Sequence, residues 1–470
     1  IAGMQPKLMY SLLASWFGWV FGENQIIKSR RWRDGEILPN TALQGTLREK
    51  AAQRPWAWTL GQQNYNQYIT GSKVANKNLT SAKKAKNDEF YTQFSDIQKE
   101  VESYLEYDPN TFKGKVVYSN CDDPFESNFF RYFVLNFSRL GLKRIISTSY
   151  KPSPVANSQL GLFGDDKTLP KSKGRPKVTA NKFIINEVGD VDGDGSFTLE
   201  DIAKQLRANK NNEWTPLEDD GDFRSDECVE LLKQSDIVVT NPPFSLFREY
   251  ITQLFEHKKQ FLIIGNLNAI TYKEVFPMIK ENKVWLGNNA RVNGGAMFYE
   301  IPEAVANLDQ VREIKTDENG KKTYITRVQG VRWFTNLDHG RLHQPIPLMT
   351  HADVLKFSTN KPFVHYDNYD AIEIALVKNI PKDYEGVMGV PISFLDKYSP
   401  DQFEILGTSD NGLVDDKYKK TLGLKKQFVD DYYKGGGTGA YKEGNPTAGF
   451  YENGIAKMAY KRIFIKHKKK

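Results

Sequence analysis

The chain has 470 residues, a length that allows two or three domains at roughly 150 residues each. Hydrophobic residues make up 39% and charged residues 26%, which excludes a chain that is mostly disordered or fibrous. The formal net charge of +7 is small for this length, so a surface that binds a polyanion has to be a local patch.

Cysteine content and one apolar run indicate the compartment. Only Cys121 and Cys228 are present, which excludes a disulfide framework and a cysteine-rich zinc site and favours the cytoplasm. The apolar run Leu8–Phe21 has 14 residues, fewer than the roughly 20 that a membrane-spanning helix needs. No small-residue cleavage site follows it. We therefore expect a core or surface helix there, and no membrane partner.

The first segment with a clear pattern is basic and then helical. Residues 73–86 contain five lysines and no acidic residue, which is typical of a mobile basic arm. Ile97, Val101, Tyr104 and Leu105 then follow the spacing of one helix face.

Apolar runs separated by helical patterns follow in chain order. The runs predict strands at 115–120, 143–150, 181–189, 235–241, 260–266, 283–288 and 331–337. One helix should end at Gly141, and another should lie between the fourth and fifth strands. Buried strands joined by crossover helices predict a doubly wound α/β sheet, whose ligands bind at the carboxyl ends of the strands. Past about residue 340 the pattern becomes less regular.

The most informative motif is Asn241-Pro242-Pro243-Phe244, directly after the apolar run that ends at residue 240. Two prolines cannot continue a central strand, so the chain has to leave the sheet at its ligand-binding edge. The Asn241 side-chain oxygen and the Pro242 carbonyl can each accept a hydrogen from an amino group on a flat ring, while Phe244 stacks on that ring. An adenine would have to swing out of a duplex to reach this pocket. The alternative is a simple turn after a strand.

The sequence resembles the EcoRI-type adenine-specific DNA methyltransferase family from about residue 73 to the C-terminus. The segments that carry the resemblance are KNDEFYTQ, VVYSNCDDPFESNFF, DGDFRSDECVELLKQSDIVVTNPPFSLFREY, AITYKEVF, FVHYDNYDAIEIA and GVMGVPISFLDKYSPDQFEIL. The resemblance implies a Rossmann-like methyltransferase sheet, S-adenosylmethionine as methyl donor, and the exocyclic amine of adenine in double-stranded DNA as acceptor. It also implies a catalytic role for Asn241, Pro242, Pro243 and Phe244.

The same resemblance assigns residues that bind the cofactor. It implies Phe90, Tyr91 and Thr92 at the methionine end, Asp122, Asp123, Pro124 and Ser127 in the loop after the first strand, and Asp222 and Phe223 at the adenine. Two features depart from the usual pattern. The loop CDDPFESN has no glycine, and the strand at 143–150 ends without the acidic residue that normally holds the ribose.

An acidic loop outside this pattern resembles a calcium site. Asp190, Asp192 and Asp194 stand at loop positions 1, 3 and 5, a glycine follows at position 6, and Asp201 stands at position 12. A strand precedes the loop where a helix would be usual, and the alternative is an acidic turn. A calcium ion there would be structural.

The resemblance gives a domain organisation and leaves alternatives open. We expect an N-terminal extension at 1–72, a catalytic domain at 73–340 with an insertion at 151–220, and a less regular target-recognition region at 341–470. The basic ends should contact phosphates, and Arg332, Asn336 and Arg341 are candidate types for base contacts. A restriction nuclease is an expected functional partner. The alternatives are methylation of an RNA base or a protein glutamine, or a catalytically silent DNA-binding protein.

Overall fold

The structure is a computed structural model that describes residues 91–121, 127–150, 180–191, 193, 197–208, 211–288, 296–301, 311–316, 322–358, 363–409 and 423–468. These residues fall within one compact unit. The predicted extension at 1–72, its apolar run and the basic arm at 73–86 lie outside the described residues.

A sheet of eight strands forms the centre of the molecule. Its strands are β2 (Val116–Ser119), β3 (Arg144–Thr148), β4 (Asn181–Ile185), β5 (Glu213–Pro216), β6 (Ile237–Thr240), β7 (Gln260–Asn266), β8 (Trp285–Leu286) and β12 (Val331–Thr335). They are ordered β5-β4-β3-β2-β6-β7-β12-β8. The central four, β3, β2, β6 and β7, are parallel, and antiparallel strands flank them on both sides.

Helices cover both faces of this sheet because alternate strand residues point to opposite sides. The helices are α1 (Phe94–Tyr107), α2 (Asn128–Leu135), α3 (Phe137–Leu140), α4 (Leu199–Ala208), α5 (Asp226–Gln234), α6 (Phe247–Glu256) and α7 (Phe276–Lys280). On β2, Val117 packs with α1 and α2, whereas Tyr118 packs with α5 and α6. The chain therefore folds as a doubly wound, Rossmann-like α/β sheet of mixed direction.

All seven predicted strands are present, and the predicted helices surround them. Ile97, Val101 and Tyr104 are fully buried on α1, as their spacing predicts. Gly141 ends α3 with a φ of 62°, the left-handed conformation that glycine adopts without a steric penalty. The short strand β5 has no apolar run, so the sequence does not predict it.

Two smaller sheets and a hairpin complete the described fold. One sheet has the order β1-β9-β11-β10 and contains β1 (Tyr91–Thr92), β9 (Ala296–Ile301), β10 (Val311–Thr316) and β11 (Lys322–Gln329). The other has the order β13-β14-β18-β15 and contains β13 (Ile372–Glu373), β14 (Met388–Pro391), β15 (Phe403–Thr408) and β18 (Arg462–His467). The hairpin pairs β16 (Gly449–Glu452) with β17 (Ile455–Met458), and α8 (His351–Phe357) and α9 (Lys426–Lys434) are the remaining helices.

The C-terminal elements share a core with the large sheet. Phe261 and Ile263 of β7 belong to the same buried cluster as Met388, Phe403 and Ile465 of the C-terminal sheet. Side chains from before and after residue 340 are thus continuous in the core, and the domain boundary at 340/341 stays a prediction. In the described part of the chain, no helix is both long and apolar enough to cross a bilayer.

Candidate active site

The site lies where β2 and β6 end side by side. These neighbours are parallel, with Tyr118 opposite Val238, and the chain winds outward from them in opposite directions, through β3 on one side and β7 on the other. Such a switch in winding direction opens a crevice at the carboxyl ends of the two strands. The loop after β2 and the Asn-Pro-Pro-Phe turn after β6 both start at this crevice, as the sequence predicts.

The turn after β6 holds a buried asparagine next to a half-buried ring. Asn241 is 4% exposed, Pro242 is also buried, and neither continues the ladder of β6. Phe244 is half-buried and packs on the cluster that contains α1 and α2. It begins a short 3-10 helix, Phe244–Leu246, which leads directly into α6. The turn thus brings an amide, a prolyl carbonyl and an aromatic ring together at the crevice.

A buried hydrogen-bond network connects the two loops. The Thr240 hydroxyl donates to the backbone carbonyl of Asn120, and the Tyr250 hydroxyl donates to the Asn120 side-chain oxygen. Tyr250 is fully buried, and burial raises the pKa of its phenol well above the usual range, so the group stays protonated and donates. The sequence gives no local sign of this network because its members are 120 and 130 residues apart in the chain.

The loop after β2 has a left-handed residue in place of a glycine at its second position. Cys121 has a φ of 71°, a conformation that costs roughly 1–2 kcal/mol for a residue with a Cβ atom. The loop ends at Ser127, which is fully buried and caps α2 by accepting from the amide of Phe130 at 3.3 Å. The N-terminus of α2 therefore faces the crevice with its backbone donors and its positive dipole end.

Three buried hydroxyl groups lie near the ends of the strands beside this loop. Ser119 on β2 and Ser147 on β3 are opposite each other in register, and Thr92 receives a 2.8 Å hydrogen bond on its backbone oxygen from Asn128 of α2. All three residues are at most 1% exposed. Among the described residues, no hydrogen-bond partner reaches the hydroxyl oxygens of Thr92, Ser119 or Ser147. Such buried groups carry a desolvation cost that a polar ligand can relieve.

The segment Gly221-Asp222-Phe223 lies at the carboxyl end of β3. Gly221 has a φ of 79°, and a Cβ atom there would stand 2.0 Å from the backbone oxygen of Ser149. Phe223 is 5% exposed and meets the ring of Tyr250 edge to face, with 5.0 Å between centroids. The predicted adenine-binding segment is thus next to the network that joins the two loops.

Asp222 has a partner that the sequence analysis did not anticipate. Arg224 donates to both of its carboxylate oxygens, at 2.9 and 2.7 Å, and also reaches Glu249 of α6 at 2.9 Å. The guanidinium lies 5.3 Å from the centre of the Phe223 ring. Arg224 therefore fixes this segment against α6.

Several predicted cofactor residues lie outside the described part of the chain. These are Phe90, Asp122, Asp123 and Pro124. Tyr91 is described only by its backbone, which pairs with Glu300 of β9. Their roles stay predictions.

The acidic loop is partly described. Asp192 and Asp194 lie outside the described residues, while Asp190 accepts from the amide of Gly193 at 2.6 Å. Asp201 is 1% exposed and accepts from the amides of Val191 and Thr198 at 2.9 and 2.8 Å. A group of side chains suited to a metal is absent among the described residues. Calcium binding stays a prediction.

Each of the three candidates for base contacts has a structural partner, and the role of Asn336 and Arg341 stays a prediction. Arg332 is 5% exposed and forms a buried ion pair with Asp396, which contradicts a role in reading bases. Asn336 accepts from the amide of Phe261 and donates to the carbonyl of Lys259, at the start of β7. Arg341 donates to the carbonyl of Asn288.

Comparison with known proteins identifies the family. A model of the family described as adenine-specific methyltransferase EcoRI matches residues 78–468. The Type II methyltransferase M.EcoRI of Escherichia coli is 42% identical over 335 residues, which cover 71% of this chain and 89% of that protein. No solved structure gives a significant match.

Two mycoplasma proteins are also similar. The Type II methyltransferase M.MpnI of Mycoplasma pneumoniae is 37% identical over 69% of this chain and 83% of its own length. The Type II methyltransferase M.MgeORF184P of Mycoplasma genitalium is 36% identical over 69% of this chain and 84% of its own length. Together with the family match across the sheet, the crevice and the C-terminal region, these similarities establish that the chain belongs to the EcoRI family of adenine-specific methyltransferases.

Proposed function

We propose that the chain transfers a methyl group from S-adenosylmethionine to the N6 amine of an adenine that is flipped out of double-stranded DNA. The observation that carries this proposal is the position of Asn241-Pro242-Pro243-Phe244 at the switch in winding direction, beside the loop after β2. Acceptor and donor pockets are then adjacent, which a direct transfer between two bound molecules requires.

The groups around the loop after β2 fit the proposed donor. The hydroxyls of Thr92, Ser119 and Ser147 are buried, and the N-terminus of α2 offers backbone amides. These groups suit the carboxylate and amino group of the amino-acid end. Phe223 offers an apolar face for the adenine end, next to Tyr250. When bound, the cofactor supplies a methyl group on a sulfonium, which is already activated for transfer.

The residues of the turn act on the acceptor. The Asn241 side-chain oxygen and the Pro242 carbonyl accept the two hydrogens of the exocyclic amine, and Phe244 stacks on the base. This arrangement keeps the nitrogen lone pair directed toward the donor pocket. As positive charge develops on the nitrogen, the same two oxygens stabilise it. The positively charged nitrogen would lose one proton to water after the methyl group has left the sulfur, so no general base is needed before the transfer.

The Asn120–Thr240–Tyr250 network positions this turn. Because Thr240 is hydrogen-bonded to the residue that starts the cofactor loop, the catalytic turn and that loop keep a fixed spacing. Small errors in such a spacing lower the rate strongly in transfer reactions. The network therefore acts as a positioning device.

The polymer and the biological role rest on the relatives. Three similar proteins are named Type II methyltransferases, which supports DNA as the substrate and protection of that DNA from a nuclease of the same specificity as the role. The Asn-Pro-Pro-Phe chemistry alone would also suit an RNA base or a glutamine amide, because each presents a flat conjugated amine. A cytoplasmic location remains a prediction from the low cysteine content.

The test is transfer of radiolabel from S-adenosylmethionine to unmethylated duplex DNA, followed by mass spectrometry of the nucleosides. Wild type is compared with Asn241→Ala and with Asn136→Ala, a control at the far end of α2 from the crevice. We expect N6-methyladenine with wild type and Asn136→Ala, and none with Asn241→Ala. Calorimetry should show that Asn241→Ala still binds the cofactor.

Other results would change the proposal in distinct ways. Label that enters only RNA or protein would refute DNA as the substrate and leave the chemistry of the turn in place. Wild-type turnover by Asn241→Ala would refute the site. Failure of the wild type to bind S-adenosylmethionine would refute the reaction.

A further inference from the structure

An exposed tyrosine stands out in the C-terminal region. Tyr460 lies between β17 and β18, and its side chain is 66% exposed although tyrosine carries a large apolar ring. Among the described residues, Tyr107, Phe357, Tyr433 and Tyr460 are the aromatic residues classed as exposed, and Phe357 and Tyr460 are exposed most, at 66% each. A single exposed ring is ordinary on a protein surface, so Tyr460 is distinguished by the rigid support beneath it and by its position in the fold.

The backbone on either side of this ring is firmly held. Arg462 donates to the carbonyl of Tyr460 at 2.8 Å, and the same guanidinium pairs with Glu373 at 2.6 Å in a mostly buried ion pair. The preceding residue, Ala459, donates its amide to the carbonyl of Ala448 at 2.9 Å. The ring is therefore presented on a rigid support, which lowers the entropy cost of a contact.

The same segment is tied to the catalytic edge of the large sheet. The Lys461 ammonium donates to the hydroxyl of Thr271 at 3.0 Å. Thr271 ends the 3-10 helix Leu267–Thr271, which directly follows β7 at its carboxyl end. Because β7 is the parallel neighbour of β6, Tyr460 belongs to the same edge as the Asn-Pro-Pro-Phe turn.

Cations and a second ring line this edge. The Arg248 guanidinium, in the first turn of α6, lies 4.1 Å from the centre of the Tyr272 ring. Lys461 follows Tyr460 directly in the chain. Cationic side chains that alternate with aromatic rings suit a nucleic acid, because the cations meet phosphates and the rings stack on bases.

We infer that Tyr460 stacks on a DNA base next to the extruded adenine and keeps the duplex open at the target. The inference rests on the proposed DNA methylation and adds a residue for it outside the catalytic turn. A duplex that gives up one base loses stacking on both sides of the gap, and an aromatic ring can replace part of that stacking. Lys461 and Arg462 position the ring, and Tyr460 itself contacts the substrate.

The experiment measures DNA affinity and methyl transfer for Tyr460→Ala, Tyr460→Phe and Tyr107→Ala in the full chain. Tyr107 is the control because it is 46% exposed and stacks on His343, beyond the end of β12. The last residue of β12, Thr335, pairs with Leu262 near the start of β7, so Tyr107 belongs to the opposite edge of the sheet. The substrate is duplex DNA that the wild type methylates, with fluorescence anisotropy for binding and calorimetry for S-adenosylmethionine.

We expect Tyr460→Ala to lower kcat/KM for DNA by about 5- to 150-fold, the range that loss of one base–aromatic stack produces. Its affinity for S-adenosylmethionine and its thermal stability should stay at the wild-type values. Tyr460→Phe should retain most of the activity because it keeps the ring, and Tyr107→Ala should retain all of it.

Equal kcat/KM for wild type and Tyr460→Ala, with the wild type active, would overturn this inference and leave the proposed function in place. An equal loss in Tyr460→Phe would overturn stacking in favour of a hydroxyl contact. A wild type that neither binds nor methylates DNA would overturn both proposals. Tighter binding of duplex RNA than of duplex DNA would overturn the choice of DNA as the partner.

Discussion

Replacing Asp396 by leucine should destabilise the fold without changing which bases are read. Its carboxylate accepts from Arg332 at 2.8 and 3.3 Å, and the two side chains are only 0% and 6% exposed. Removal of one partner of such a pair leaves a buried charge and costs about 3–5 kcal/mol. We expect a loss of this size in the free energy of unfolding of Asp396→Leu, and a similar loss for Arg332→Met.

The double variant distinguishes the structural role from a role in recognition. Exchange of both charged residues for apolar ones removes the buried charge, and such exchanges are often neutral or stabilising. Urea denaturation should therefore give the double variant Arg332→Met/Asp396→Leu a clearly higher free energy of unfolding than either single variant. This reasoning would be refuted if each single variant lost less than about 1 kcal/mol of unfolding free energy. It would also be refuted if the double variant lost as much as the two single variants together. A change in the methylated sequence would instead restore Arg332 as a base contact.

Four further variants test the backbone and a buried imidazole. Gly221→Ala should lower both stability and cofactor affinity, because its Cβ atom would stand 2.0 Å from the backbone oxygen of Ser149. Gly114→Ala is the control, since Gly114 also has a positive φ but a Cβ atom there would meet nothing within 4 Å. It should cost only about 1 kcal/mol of strain. Cys121→Gly should raise the unfolding free energy by up to about 1 kcal/mol, measured by urea denaturation, because it relieves the φ of 71°; a loss would contradict strain there. Burial lowers the pKa of His339 to about 4, below its ordinary 6.5. The unfolded chain then binds more protons between these two values, so stability should fall by about 3 kcal/mol as the pH falls from about 6.5 to about 4. His339→Leu should flatten that part of the pH profile, and an unchanged slope would contradict the assignment.

The strands and the turn after β6 could be predicted from the sequence because their signals are local. The run at 235–241 is apolar on both faces, and two prolines directly after it admit only a departure from the sheet. Gly141 likewise marks the end of a helix, because glycine adopts the left-handed conformation of a helix C-terminus more readily than any other residue. The edge of the sheet that binds ligands then follows from parallel winding alone.

The partners of polar side chains could not be predicted because they are distant in the chain. Arg332 lies in a strand of apolar residues, and nothing near it in the sequence indicates Asp396, 64 residues later. Whether Arg332 contacts a base or forms a buried ion pair depends on how exposed its side chain is. That exposure depends in turn on how the C-terminal elements pack against the large sheet. The loop after β2 shows the same limit, since the sequence reveals the lack of glycine but not that Cys121 takes the left-handed conformation.

Under the prediction that the C-terminal region recognises the target, the packing of its elements would couple recognition to transfer. β7 follows the strand of the catalytic turn, and its residues share one buried cluster with the C-terminal sheet. The hydrogen bond between Lys461 and Thr271 adds a polar connection at the edge where β7 ends. A shift of the C-terminal sheet on DNA would therefore displace the end of β7 next to Asn241, because a close-packed core transmits displacement instead of absorbing it. The bound sequence can influence the position of the catalytic turn through this shared core, without any base contact from the turn itself.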